Sequence, residues 1–347
     1  MNKDRIKVAI LGATGYTGLE LLRILSYHPK VQITIATSQK YAGKKLVDLF
    51  PFFKNELVLT PLDYNLIADN ADIIFTALPQ QVSMEVVPEI WRLKKKIIDL
   101  SADFRLKKPE VYEAWYGPHK AKELISKAVY GLPEIYREYI KNAHLIANPG
   151  CYPTPVILAL VPLLDKHIIK ENSIVVDAKS GVSGAGRSLK LSSLFCEVNE
   201  GMQAYKVAAH RHIPEMDQEL SKLAGKDIHI TFVPHLIPIS RGMFTTAYAS
   251  LKSKLSTEQA YQIMNEYYQG ETFVKVLLPP QIPQTLHVRG TNECHMGVKV
   301  DERNNCIIVM AAIDNLGKGA STQAVQNMNL MAGLPEEAGL EPLPLFL

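Results

Sequence analysis

An apolar run, Lys7–Leu11, leads straight into Gly12-Ala13-Thr14-Gly15-Tyr16-Thr17-Gly18, and a helical pattern, Leu19–Leu25, follows at once. Strand, tight turn and helix in so short a stretch point to an α/β layered fold. The next runs agree. Val31–Thr37, Ala71–Leu78, Lys96–Leu100 and His144–Ala147 are short, rich in Val, Ile and Leu, and bounded by Gly, Pro or Asp, which reads as buried strands. Val82–Leu93 carries helical spacing between two of them. The alternation predicts a Rossmann-like domain, a parallel sheet with helices on both faces.

After residue 150 the pattern changes. A helix-like stretch, Pro155–Leu164, precedes strand-like runs at Ser173–Lys179, Ile228–Val233, Met243–Leu251, Phe273–Leu278 and Cys306–Ile313. Ser256-Thr257-Glu258-Gln259 has the form of a capping box opening a helix that ends near Gly270. Strands in succession without crossover helices imply a mostly antiparallel sheet, hence a second, α+β domain. The tail, Ala320–Met331, is again helical in pattern. A chain of 347 residues with 47% hydrophobic and 21% charged residues has ample material for two ordinary cores.

Several functions are disfavoured. The net charge of +3 is mild and no Lys/Arg stripe stands out, so a nucleic-acid partner is not expected. The start, MNKDRIKVAILG, passes from polar residues into a strand with no signal-peptide core. No run reaches the ~18 apolar residues of a spanning helix, so no membrane partner is expected either. Cys151, Cys196, Cys294 and Cys306 lack CxxC spacing, which indicates neither a metal site nor a disulfide framework and fits a reducing cytoplasm.

The glycines after the first strand are spaced GxxGxxG. Small residues at Gly12, Gly15 and Gly18, with Thr14, Tyr16 and Thr17 between them, let the backbone approach a pyrophosphate whose charge the helix N-terminus stabilises. After the second strand the sequence is Ala36-Thr37-Ser38-Gln39-Lys40. No acid is there to accept a ribose 2′-hydroxyl. Instead the Ser38 hydroxyl and the Lys40 cation stand where a 2′-phosphate would sit, which favours NADPH/NADP+ over NAD.

Asn148-Pro149-Gly150-Cys151-Tyr152-Pro153-Thr154-Pro155 lies between the last parallel strand and a strongly apolar helix. Proline prefers the first helical turn, so Cys151 is expected at a helix N-terminus, where partial positive charge favours a thiolate. A thiolate beside a nicotinamide implies attack on an acyl donor, a thioacyl enzyme and hydride delivery. His210-Arg211-His212-Ile213-Pro214-Glu215 is the densest source of an acid/base. Of its two histidines His212 is preferred, because Glu215 follows one helical turn later and can orient it. His210 and Arg211 are then expected to hold substrate anions.

The run Asn148–Thr154 resembles the NPGCYPT motif of N-acetyl-gamma-glutamyl-phosphate reductases. Further matches are Gly12–Gly18, Asp99–Leu106 (DLSADFRL), Tyr130–Glu134 (YGLPE), Ser180–Arg187 (SGVSGAGR), His210–Glu215, Pro234-His235-Leu236 and Asp314–Asn329, spread over both domains. The resemblance implies NADPH-dependent reduction of a small acyl phosphate to a semialdehyde with release of phosphate. It makes Cys151 the nucleophile and the histidine cluster the acid/base, and it puts Arg105 and Asn148 with the substrate phosphate. The loop Ser180–Arg187 offers backbone and hydroxyl donors plus a cation, with Ser180 and Gly181 toward the cofactor and Ser183, Gly184 and Arg187, like Arg211 and Glu215, toward the substrate.

The family further implies a homodimer or homotetramer, and a C-terminal helix that returns to the cofactor domain. The expected domains are therefore residues 1–149 with 318–347, and 150–317. Two departures stand out: Ser38-Gln39 where the family commonly has Ser-Arg, and Leu78-Pro79-Gln80-Gln81 where it commonly has Pro-His. Two other readings are a homologous reductase acting on a carrier-protein-linked aminoadipyl phosphate, and a dinucleotide-binding regulator without catalysis.

Overall fold

Six strands make the first sheet: β1 (Ile6–Leu11), β2 (Val31–Ala36), β3 (Ile73–Thr76), β4 (Lys96–Asp99), β5 (Val129–Tyr130) and β6 (Leu145–Ala147). They run parallel in the order β2-β1-β3-β4-β6-β5. Burial on both faces explains the unbroken apolar runs; all four residues of β3 are buried. The order turns back between β1 and β3, so the glycine turn after β1 lies at the carboxyl end of the sheet beside its switch point, where open α/β sheets take ligands.

The computed structural model describes residues 5–54, 56–340 and 343–345. By contact density the chain separates into two units, Met1–Pro149 with Ala320–Glu341, and Gly150–Gly319 with Pro342–Leu347. Helix Thr322–Met331 belongs to the first and is buried along its whole length. Lys96 Nζ donates to the carbonyl of Met331, and the His28 ring pairs with Asn329 Oδ1 at 3.0 Å.

The second unit has a seven-stranded sheet of β7 (Val175–Gly181), β8 (Gln203–Ala204), β9 (Thr231–Ile237), β10 (Met243–Ser250), β11 (Val274–Val276), β12 (Cys294–Asp301) and β13 (Cys306–Ile313). Its order is β11-β12-β13-β10-β7-β9-β8, with β11/β12 and β7/β9 parallel and the other pairs antiparallel. Helix Pro153–Asp165 is apolar on every side and packs among helices Ile213–Ala224 and Thr257–Tyr267 and strands β10 and β13. That setting explains why its sequence lacks a polar face. The capping box at Ser256 and Gln259 is formed, and its helix runs Thr257–Tyr267.

Strands β5 and β8, of two residues each, were not expected from the sequence, and two longer strands also differ from that reading. Strand β9 begins at Thr231 rather than Ile228, because the Ile228 and Ile230 amides are taken by Ser221 Oγ and Asp217 Oδ1. Strand β12 is hidden in the sequence by Gly297. A Cβ there would lie 2.9 Å from Pro283 Cδ, so a crossing segment explains the glycine. Among the described residues no helix is long and apolar enough to cross a membrane.

Candidate active site

In the first unit the three glycines do three different jobs. Gly12 sits at φ +81°, and a Cβ on it would lie 2.4 Å from the carbonyl oxygen of Ala77. Only glycine adopts that turn so close to the next strand. A Cβ on Gly18 would lie 2.4 Å from the Gly12 oxygen and 2.7 Å from Ala13 Cα, so Gly18 lets the helix close on the turn. Gly15 is open: the nearest atom to a Cβ there is 3.6 Å away. It caps helix Tyr16–Leu25, whose first turn carries no acid. The absence of side chains thus clears a path to a helix N-terminus without opposing charge, which fits a pyrophosphate.

Thr14, Tyr16 and Thr17 belong to the same turn and first helical residues. Thr14 Oγ1 meets Ser38 Oγ at 3.1 Å, joining the turn to the loop after β2. Ser38 is buried. Lys40 is exposed, with its ammonium over the Tyr41 ring at 5.2 Å from the centroid. The Ser38 hydroxyl therefore meets this turn, and the Lys40 cation follows two residues on.

At the same end of the sheet lies the DLSADFRL segment. Asp99 is wholly buried and accepts from the hydroxyls of Thr76, Ser83 and Ser101; burial and the neighbouring Asp103 hold its carboxyl above the usual range. Asp103 accepts the amides of Gln81 and Met84, and so caps helix Ser83–Arg92. Arg105 is buried, its Nε on the Asn148 carbonyl at 2.8 Å and its Nη2 on the Leu100 carbonyl at 2.9 Å. Arg105 and Asn148 are thus brought together, and the guanidinium is fixed by main chain.

In the second unit Cys151 stands in the turn before helix Pro153–Asp165, with Pro153 in the first helical turn. The Gly150 oxygen accepts from Thr154 N and Thr154 Oγ1, at 3.1 and 3.0 Å. The Gly150 amide donates to Glu215 Oε1 at 2.8 Å. Glu215 is buried in the first turn of helix Ile213–Ala224, just after the histidines. Its Oε1 grips the residue before the thiol. One side chain thereby ties the histidine-bearing turn to the cysteine-bearing turn.

The two histidines differ sharply. His210 Nδ1 accepts the His212 amide at 3.1 Å, which leaves its proton on Nε2. Its ring packs against Tyr152, Tyr205 and Phe232, with centroids 5.4, 5.6 and 5.7 Å away. Burial, then His212, Lys206 and Arg211, push its pKa down to about 2. Kept neutral, His210 can meet an anion only as an Nε2–H donor. His212 is the N-cap of helix Ile213–Ala224 and lies 4.8 Å from the His210 ring.

Two tyrosines escaped the sequence reading. Tyr152 and Tyr205 face each other at 3.0 Å between hydroxyls, and the charge of Cys151 is felt by both. Burial pushes Tyr205 up to about 12 and Tyr152 upward too, so both remain protonated donors. The position of Tyr152 next to the cysteine was its only sequence signal. Tyr205 had none, since its neighbourhood is made by the fold.

The loop after β7 is brought in through Ser180, which hydrogen-bonds Tyr152. Gly181 admits the main chain of Ile239 and Ser240, whose oxygens would lie 2.8 and 2.9 Å from a Cβ. Gly184 similarly clears Ser180 Oγ. Ser183 Oγ accepts from Asn315 Nδ2 at 2.8 Å, and Arg187 is exposed on the same loop. Asn315 follows Asp314, a fully buried carboxylate that holds Arg241 Nε at 2.9 Å and the Gly290 amide at 2.6 Å. These residues buttress the loop and were missed as site residues.

Residues 7–143 match the family model described as semialdehyde dehydrogenase, NAD binding domain, and residues 151–315 match semialdehyde dehydrogenase, dimerisation domain. N-acetyl-gamma-glutamyl-phosphate reductase of Geotalea daltonii is 53% identical over 344 residues, covering 98% of this chain and 99% of the relative. That of Geobacter sulfurreducens is 54% identical over 343 residues, covering 98% and 99%. Among solved structures, aspartate semialdehyde dehydrogenase II of Vibrio cholerae has a TM-score of 0.72 at 19% identity, covering 95% of this chain and 98% of that one. The Candida albicans aspartate semialdehyde dehydrogenase with NADP has a TM-score of 0.69 at 16% identity, covering 94% and 98%. The last two are likenesses of fold.

Proposed function

The chain belongs to the N-acetyl-gamma-glutamyl-phosphate reductase family, and we propose that it reduces N-acetyl-gamma-glutamyl phosphate to N-acetyl-glutamate semialdehyde with NADPH, releasing phosphate, through a thioester on Cys151. The step belongs to arginine biosynthesis, as the name of these relatives implies. The observation that carries the reading is the Glu215 bond to the Gly150 amide, which binds the thiol turn to the histidine turn.

In the reaction the Cys151 sulfur attacks the acyl carbon, the carbon–oxygen bond to phosphorus breaks, and phosphate leaves with the electron pair. NADPH, when bound, supplies the hydride that takes the thioester to the aldehyde level. His212 takes the thiol proton during attack and gives one to the oxygen of the hemithioacetal. When the carbon–sulfur bond breaks, the hydroxyl returns its proton to His212, the sulfur departs as thiolate and the aldehyde is released. His210 stays neutral and holds the His212 amide. Arg211 and the pinned guanidinium of Arg105 carry the anionic contacts, a task suited to a group that never titrates. Gly12, Thr14, Gly15, Tyr16, Thr17 and Gly18 take the pyrophosphate, Ser38 and Lys40 the 2′-phosphate. The loop Ser180–Arg187 presents Ser180 and Gly181 toward the cofactor, and Ser183, Gly184 and Arg187 toward the substrate.

The first unit is then the cofactor domain. The second is catalytic and carries assembly into a homodimer or homotetramer, which the dimerisation-domain match supports. A reducing cytoplasm suits a free catalytic thiol. The carrier-linked substrate and the inactive regulator are not favoured, given relatives of this identity named for one activity. The test is turnover of the purified protein with N-acetyl-gamma-glutamyl phosphate and with aminoadipyl phosphate, each beside Cys151→Ser. Preference for the first substrate, lost in the variant while NADPH still binds, supports the reading; activity in folded Cys151→Ser overturns it.

A further inference from the structure

The YGLPE segment and the C-terminal helix have no part in the chemistry above, yet one buried side chain joins both to the strand end before Cys151. Asn327 is wholly buried on helix Thr322–Met331, and its Nδ2 donates to the Gly131 carbonyl at 2.8 Å and to Asn148 Oδ1 at 3.0 Å. Gly131 makes this possible: a Cβ there would lie 2.5 Å from Asn327 Nδ2. Asn148 is fastened on every polar group it has. Its amide donates to the Asp99 carbonyl, its carbonyl accepts Arg105 Nε, and its Nδ2 donates to the Ala320 carbonyl at 3.0 Å.

Such a clasp is costly. Each buried amide needs its partners, and Asn327 Oδ1 has no hydrogen-bond partner at all among the described residues. An apolar pair of the same volume would hold a helix to a sheet without that cost. What the amides add is direction, because they fix one residue in position and orientation, and that residue lies three places before Cys151 in the chain.

We propose that Asn327 is a positioning residue for the reaction, acting through Asn148 to fix the strand end from which the chain enters the Cys151 turn. The proposal rests on the reading of Cys151 as the nucleophile. Asn148, expected from the family resemblance to touch substrate, then acts as the link between Asn327 and that turn.

The test uses full-length Asn327→Ala, Asn148→Ala, the double variant and Asn327→Ser. Three quantities are read: kcat, NADPH affinity, and the iodoacetamide alkylation rate of Cys151 relative to exposed Cys196, resolved by peptide mass spectrometry. Loss of positioning is expected to lower kcat by about 10–100-fold and to lower the alkylation ratio in step, with NADPH affinity kept. Asn148→Ala should match Asn327→Ala, and the double variant should add nothing, the signature of residues acting as one unit. If kcat per folded molecule and the alkylation ratio stay at wild type while only Tm falls, the clasp is structural and the proposal fails. Multiplying losses in the double variant also overturn it. Should Asn327→Ala not fold, Asn327→Ser carries the same comparison, and wild-type values there refute the proposal. Activity in Cys151→Ser would instead refute the nucleophile and leave the clasp without an object.

Discussion

The glycine turn of the first unit and the cysteine turn that opens the second both lead into helices, yet they are made from opposite materials. The first is main chain: three glycines whose missing side chains leave a tight turn, an open approach and a close helix contact. The second is side-chain packing: a buried Glu215, two phenols and a histidine whose protonation is set by burial. A backbone site recognises charge and shape and tolerates change in its exposed neighbours. A packed site tunes chemistry, and changes of polarity within it reach the reacting atoms. Substitutions around the cysteine turn should therefore act on rate, and those around the glycine turn on cofactor affinity.

The largest effect sharpens that contrast. General acid–base catalysis is worth about 10²–10⁴-fold, so His212→Asn should lower kcat by that order with little change in substrate KM. Steady-state kinetics of His212→Asn beside His210→Asn check it. A kcat collapse confined to the His210 variant would move the proton to the other ring.

A second expectation concerns stability. The pKa of His210 is pushed down to about 2, below its ordinary 6.5, so the unfolded chain binds this proton first. The stability it contributes is complete above pH 6.5 and is lost as pH falls toward the folded value, by up to about 1.4 kcal/mol per pH unit. Urea unfolding at pH 7, 6 and 5 should show this slope, and His210→Gln should flatten it. An identical slope in the variant would mean that the ring is not held neutral.

The smallest effect belongs to the backbone site. Lys40 is exposed and touches the cofactor only through its charge in this account. Removing one charge-assisted bond costs about 1.5–3 kcal/mol, so Lys40→Ala should raise the NADPH KM roughly tenfold relative to the NADH KM. Equal shifts would take Lys40 out of 2′-phosphate recognition.

The glycine turn was legible because its physics is local: strand, turn and helix are adjacent in sequence, and glycine permits the φ of +81° that Gly12 adopts. Cys151 was legible for the same reason, with Pro153 marking the helix start. What escaped is non-local. Glu215 reaches Gly150 across 65 residues, and Tyr205 finds Tyr152 across 53. Strand β12 escaped because Gly297 answers to a crossing segment rather than to its own strand. The neutrality of His210 escaped because burial belongs to the fold and not to the residue.

The covalent step is the centre of the account, and it can be seen directly. The protein is mixed with N-acetyl-gamma-glutamyl phosphate without NADPH, quenched in acid, digested and examined by peptide mass spectrometry. The account predicts an acyl adduct on the peptide containing Cys151, absent from the Cys196 peptide and discharged when NADPH is added before the quench. Steady turnover with no adduct on Cys151, or an adduct that NADPH does not discharge, would contradict it.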